Sequence, residues 1–401
     1  MRSAFPLAKL SATTPDAVLK LMNTMRKDPR PGKIDLGIGV FRDSRAKTPI
    51  FEAVKAAERM LVETQETKSY LGSDGDLEFL ANLKMLIFGN GSAAHGFAAI
   101  QTPGGTAALR LVAELVHAGA PGARVFVGAP TWPNHPPIFA AAGVPLVAFP
   151  HSRTHGFNME AYAMAIEQAA AGDFLLVHGA CHNPTGIDAS LEDWRLLADL
   201  CARHHVTPII DLAYHGLGDG PDEDLASTRL LALQCEGAIL AYSCSKNFGL
   251  YRERTGAVFV RAGENETLVR DSAKQIARTM WSMPPDHGAA IVRLILDDKV
   301  LSALWRAELA AMRERLAHLR SALAAEHPDF VFMARQKGMF SQFPASPAET
   351  TELQRTHAIY MLDNGRINIA GLTDENIPRI TAAYASLRTN APLSSAIKEP
   401  L

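Results

Sequence analysis

Five short apolar runs constrain this chain more than any other feature. Residues 124–128 (RVFVG), 144–149 (VPLVAF), 174–178 (FLLVH), 207–211 (TPIID) and 238–242 (AILAY) lack the polar alternation of a half-wet strand. A continuous apolar run is covered on both faces. Helical patterns such as 159–170 and 191–204 lie between several of them. Strands alternating with helices predict an α/β fold, a mostly parallel central sheet with helices on either side. Ligands in such sheets gather at the carboxyl ends of the strands, so residues just past each run are the candidates for chemistry.

Further along, Leu301, Leu304, Trp305, Leu309, Met312, Leu316, Leu319 and Leu323 recur at spacings of three and four. That spacing predicts one long amphipathic helix closing near Glu-His-Pro at 326–328. Residues 330–390 then mix short strand and helix patterns, the texture of a smaller α+β domain, and 27–33 (KDPRPGK) reads as a turn-rich break. A net charge of −2 over 401 residues gives no footprint for nucleic acid or an anionic membrane. No apolar run reaches the ~18–20 residues that a membrane span needs. Cys181, Cys201, Cys235 and Cys244 are scattered with no CxxC pair, which fits a reduced, cytoplasmic protein with no metal site.

Four features fall at strand ends. After 174–178 comes GACHNPTG (179–186), whose Asn-Pro and Gly force a turn and leave the Asn183 amide able to face a site. Run 207–211 ends in Asp211, with Tyr214 following; a carboxylate there is either a helix N-cap or the partner of a cation on a ligand. Run 238–242 leads into Ser243, Ser245 and Lys246. A lysine in apolar surroundings loses proton affinity and becomes a nucleophile able to form a Schiff base, although most lysines are simply solvated. TPGGTAAL (102–109) opens a helix with free N–H groups, and with Ser243, Ser245 and Arg254 it makes a plausible phosphate cup. Arg252 gains no role and reads as a surface charge. Trp132, after run 124–128, offers a flat face for stacking or plain packing. An amine for an aldehyde, a phosphate cup, an acid for a ring nitrogen and donors for a phenolic oxygen together complement pyridoxal 5′-phosphate.

With those residues in view, the chain resembles the class I aminotransferases of pyridoxal-phosphate fold type I, nearest the aspartate and aromatic amino acid branch. The resemblance runs over nearly the whole length, in KIDLGIGVFRD, KSYLGSDG, TPGGTAALR, PTWPNH, CHNPTG, DLAYHG, SCSKNFGLYRERTG, SMPPDHGA, KGMFS and GRINIAGL. It implies a seven-stranded, mostly parallel sheet in a large domain (47–311). It also implies a small α+β domain from 14–46 and 312–401, and an N-terminal arm over 1–13. Lys246 would carry the Schiff base and move the proton at substrate Cα. Asp211 would pair with the pyridinium nitrogen, and Asn183 and Tyr214 with the phenolic oxygen. Gly105, Thr106, Ser243, Ser245 and Arg254 would hold the phosphate, with Trp132 on the ring and Tyr70 reaching over from a second subunit. Arg366 would clamp the substrate α-carboxylate, with Gly39, Trp132 and Asn183 beside it. Arg278 of the second subunit would take a side-chain carboxylate, its surface-charge alternative standing.

The activity implied is transfer of an amino group from phenylalanine, tyrosine and aspartate to 2-oxoglutarate by a homodimer with shared sites. Trp281 stands where the aspartate enzymes carry tyrosine, Met283 where they often carry asparagine, and GMFSQF (338–343) replaces the commoner GMFSFS. A more apolar, polarizable rim favours aromatic side chains beside dicarboxylates. The rival readings are the same machinery tuned to aspartate alone, a pyridoxal-phosphate β-lyase, and a non-catalytic protein on this fold.

Overall fold

The computed structural model describes residues 7, 10, 17–90 and 95–389. Apart from Leu7 and Leu10, the expected arm over 1–13 therefore lies outside the described residues, as do 14–16 and 390–401. The central sheet has seven strands: β1 Phe97–Pro103, β2 Val125–Ala129, β3 Leu146–Pro150, β4 Phe174–His178, β5 Thr207–Leu212, β6 Ala238–Ser243 and β7 Thr255–Arg261. Their spatial order is β1-β7-β6-β5-β4-β2-β3. The five apolar runs of the sequence are β2 to β6, and their mutual pairings are parallel. Strand β7 runs antiparallel to both β1 and β6.

The absence of alternation has the expected cause. Along β4, Leu175 and Val177 join one hydrophobic core while Phe174 and Leu176 join the other, on the opposite face. Helix Leu191–His204 is held at its start by a capping box between Ser190 and Asp193, and leaves through His205 at φ +53°. The long helix Lys299–Glu326 begins where Asp298 accepts from Val300 N and Leu301 N. Its predicted stripe is buried except for Leu304, which is 38% exposed: Trp305 takes the core-facing position beside it and stacks on Phe248.

Two short ladders join distant parts of the chain. Ile34–Asp35 pairs in parallel with Ile359–Tyr360, and Phe340–Gln342 pairs antiparallel with Arg366–Asn368. Asn368 Nδ2 donates to Ile38 O (2.6 Å) and Val40 O (2.7 Å), which fixes the loop containing Gly39. Among the described residues no helix is long and apolar enough to cross a membrane.

Candidate active site

Strand register brings the site together. Asp211 on β5 lies opposite His178 on β4 and Ala241 on β6, and Ser243 at the end of β6 lies opposite Gly256 on β7. The carboxyl ends of three strands thus open into one cavity. It is lined by Gly39, Gly105, Thr106, Trp132, Asn183, Asp211, Tyr214, Ser243, Ser245, Lys246 and Arg254, all expected from the sequence, and by Leu109, His178, Ala213 and Tyr251.

One wall is an anion cup. Helix Gly104–Gly119 starts after Pro103, which offers no capping side chain, so its first N–H groups remain available. Gly104 sits at φ +76°, and a Cβ there would come within 2.7 Å of the Arg254 guanidinium. Arg254 Nη1 donates to Ser245 Oγ (3.3 Å) and Tyr251 O (3.1 Å), which turns the guanidinium toward the helix start. Backbone amides, two hydroxyls and a fixed cation make a site for a doubly charged anion.

Across the cavity stands Asp211. No helix starts at this residue, which removes the capping explanation. His135 Nε2 bonds its Oδ2 at 3.1 Å, while His135 Nδ1 meets Thr131 Oγ1 at 2.7 Å. Burial favours the neutral acid, but the His135 hydrogen bond and the fields of His178, His135 and Lys246 outweigh it and hold the carboxyl below its usual range. Asp211 is therefore a buried carboxylate. Ligand atoms of His135, His178 and Asp211 lie within 4.8 Å of one another. A metal there would have to displace the His135–Asp211 bond, and Thr131 already occupies the other His135 nitrogen.

Lys246 lies over the Tyr214 ring, its Nζ 5.2 Å from the centroid. Burial pulls its pKa down to about 8, Asp211 resists, and Arg254 and Arg366 add to the fall. At neutral pH a usable fraction is free amine. Asn183 Nδ2 donates to the Tyr214 hydroxyl (3.3 Å), and Asn183 Oδ1 is buried with no partner. Burial pushes the Tyr214 phenol well above its ordinary pKa, so its hydroxyl keeps its proton.

Arg366 is buried next to this cavity without lining it. Its guanidinium rests 4.6 Å from the centroid of Phe340, and Nη2 donates to Gly37 O at 2.9 Å. The structure leaves two of the expected residues away from the cavity. Tyr70 is 93% exposed, and Arg278 is exposed near the end of helix Glu266–Met280. Both belong to one surface, where Lys274 Nζ meets Asp74 Oδ2 (3.2 Å) and Leu71 N–H donates to Met283 Sδ (3.0 Å). Trp281 packs against the core instead of lining the cavity, and its Nε1 is buried without a partner. Arg252 is exposed, as expected.

Sequence reasoning passed over His135, His178, Tyr251 and Phe340. His178 ends a strand as Asp211 does, and the same rule could have found it. The match of His135 to Asp211 depends on the fold.

The residues present fit pyridoxal 5′-phosphate: a dianion cup, a buried carboxylate, a poised amine, and between them the Asn183 amide, whose Oδ1 has no partner, and the Tyr214 hydroxyl. Comparison with known proteins points the same way. Residues 31–383 match the family described as aminotransferase class I and II, whose members depend on pyridoxal phosphate and act on amino acids and oxo acids. The chain is 45% identical to tyrosine aminotransferase of Rhizobium meliloti (strain 1021), over 94% of this chain and 99% of that one. It is 40% identical to aspartate aminotransferase of Salmonella typhi, over 94% and 99%. The structure of an aromatic-amino-acid aminotransferase from Burkholderia pseudomallei, covalently bound to pyridoxal phosphate, superposes with a TM-score of 0.92 at 32% identity, covering 96% of this chain and 99% of the other. A fold type I sheet, a lysine just past a strand end in one cavity with a buried carboxylate, and likeness along nearly the full length make this chain a member of the class I and II aminotransferases.

Proposed function

We propose that this aminotransferase uses pyridoxal 5′-phosphate to move the amino group of phenylalanine, tyrosine and aspartate onto 2-oxoglutarate. The observation that carries the reading is one cavity lined by both Lys246, whose pKa falls to about 8, and an Asp211 kept ionised. Bound there, the cofactor supplies an aldehyde carbon for the amine and a ring that withdraws electrons from substrate Cα. Lys246 holds it covalently and moves the proton at Cα. Asp211, oriented by His135, keeps the ring nitrogen protonated. Asn183 and Tyr214 take the phenolic oxygen, Trp132 covers the ring, and Gly105, Thr106, Ser243, Ser245 and Arg254 anchor the phosphate.

Arg366 binds the α-carboxylate, the group common to every substrate, beside Gly39, Trp132 and Asn183. Specificity then lies with the far end of the substrate. The exposed face carrying Tyr70, Arg278 and Met283 fits a homodimer in which these residues complete the partner's site. There Tyr70 reaches the phosphate and Arg278 takes a side-chain carboxylate. Residues 14–46 and 312–401 act as a small domain on a large one of 47–311. Four free, buried cysteines support a reducing compartment such as the cytoplasm.

The test is an assay of phenylalanine, tyrosine and aspartate against 2-oxoglutarate, with the visible absorbance of the purified protein. Efficient turnover of aspartate alone would defeat the aromatic reading. Release of ammonia without any oxo acid would make the protein a lyase.

A further inference from the structure

Arg320, in the long helix Lys299–Glu326, is a buried cation with an unusual set of partners. It is 2% exposed, and among the described residues no carboxylate lies within ion-pair reach of it. Burial lowers its pKa to about 10, so it stays charged at neutral pH. Its partners are almost all oxygens of one loop. Nη2 donates to Lys337 O (2.9 Å), Gly338 O (2.9 Å) and Phe340 O (2.6 Å), and Nη1 donates to Ser341 Oγ (2.6 Å). Its Nε is buried without a partner, and a buried charge held by backbone carbonyls is costly to build and strongly fixes what it touches.

What it fixes is Phe340. That ring meets Tyr214 edge-on at 5.7 Å, carries the Arg366 guanidinium at 4.6 Å, and lies close over Gly39, where a Cβ would fall 3.2 Å from it. The loop is also docked on the turn holding Asn183. Lys337 N donates to Gly186 O (2.8 Å), and a Cβ on Gly338 would collide with Cys181 at 2.3 Å. The antiparallel ladder with Arg366–Asn368 holds the Phe340 backbone on one side, and the Arg320 bond to the Phe340 carbonyl holds it on the other.

We propose that Arg320 is a positioning residue for carboxylate recognition: by holding the backbone of 337–341 it sets the Phe340 ring on which Arg366 is aligned. The inference rests on the assignment of Arg366 to the α-carboxylate. Misalignment of one charge-assisted hydrogen bond weakens a ligand by roughly tenfold.

The experiment uses the holoenzyme and 3-phenylpropanoate, a carboxylate without an amine, as probe. Its Kd is measured by titration for Arg320→Lys, Phe340→Leu, Ser341→Ala and Arg366→Leu, alongside melting temperature and the KM and kcat for phenylalanine. Arg320→Lys and Phe340→Leu should each weaken the probe by roughly tenfold, raising KM more than they lower kcat, and Ser341→Ala by roughly threefold. A purely structural role lowers the melting temperature and leaves Kd unchanged; that result in folded Arg320→Lys overturns the proposal. Should Arg320→Lys not fold, unchanged Kd in Phe340→Leu overturns it equally. If Arg366→Leu itself leaves Kd unchanged, the carboxylate assignment is what fails.

Discussion

Asp211 and Ser243 are buried on their strands with Lys246 half-buried just past the end of one, whereas Tyr70 and Arg278 stand exposed, with Met283 half-buried beside them, on an outer face of the same molecule. The buried end satisfies most of its own groups. Its carboxylate has His135, its arginine has Ser245, and its helix start has free amides, all from one chain. The open face has chemistry without a target: a tyrosine 93% exposed and a guanidinium aimed at no carboxylate of its own chain among the described residues. The contrast teaches that most of the groups proposed to hold the cofactor come from one chain, while the proposed recognition of a side-chain carboxylate would need a surface completed by a second subunit.

That contrast can be broken at either end. The largest effect is expected at the buried one. Lys246→Ala should lower kcat by roughly 10⁴-fold or more, since both the covalent holder and the proton carrier at Cα are lost; steady-state rates of the purified variant check it. Asp211→Ala removes one partner of a buried charged network, and a loss of roughly 10²–10³-fold in kcat with weaker cofactor retention should follow. A variant retaining cofactor and near-normal rate would show that the ring nitrogen needs no acid here.

At the open face the losses should be selective. Arg278→Leu should reduce kcat/KM for aspartate and 2-oxoglutarate by roughly 10²-fold, the value of a bidentate charge-assisted pair, and touch phenylalanine by less than about threefold. Equal losses for both classes would remove the arginine from specificity. Smallest is Tyr70→Phe, which deletes a single hydroxyl and should weaken cofactor binding by roughly tenfold only in the dimer. Equilibrium sedimentation with a cofactor titration reads both, and a monomer with full activity would contradict the shared site.

The acid–base balance gives an independent handle. The Lys246 amine, with its pKa lowered by burial to about 8, is mostly protonated below that pH and mostly free above it. Capture of added pyridoxal 5′-phosphate by protein stripped of cofactor should therefore quicken with rising pH and level off above about 8. An ordinary solvated lysine would keep gaining rate toward ~10.4.

Much of the buried end was legible in the sequence, because burial on both faces suppresses alternation and each run then points to its own strand end. Residues 174–178 and 191–204 were located to the residue as β4 and helix Leu191–His204. Strands β1 and β7 escaped that reading. FAAIQTP and TGAVFVR are diluted by alanine, glycine and threonine, and the antiparallel β7 lies outside the strand–helix alternation that signalled the others. The site was readable wherever a residue lies at or just past the end of its own strand, as Asp211 and Lys246 do. It was unreadable where the role lies in a contact across the chain, as with His135 against Asp211 or Arg320 against the loop bearing Phe340. The open face was readable only through the family resemblance, since nothing local to Tyr70 or Arg278 says what each would touch.

Borohydride reduction of the purified protein, followed by peptide mapping, tests the central claim most directly. The account predicts a single pyridoxyl-phosphate adduct on the peptide containing Lys246, and no such adduct in Lys246→Ala. An adduct on another lysine, or a protein that binds no pyridoxal 5′-phosphate at all, would contradict it.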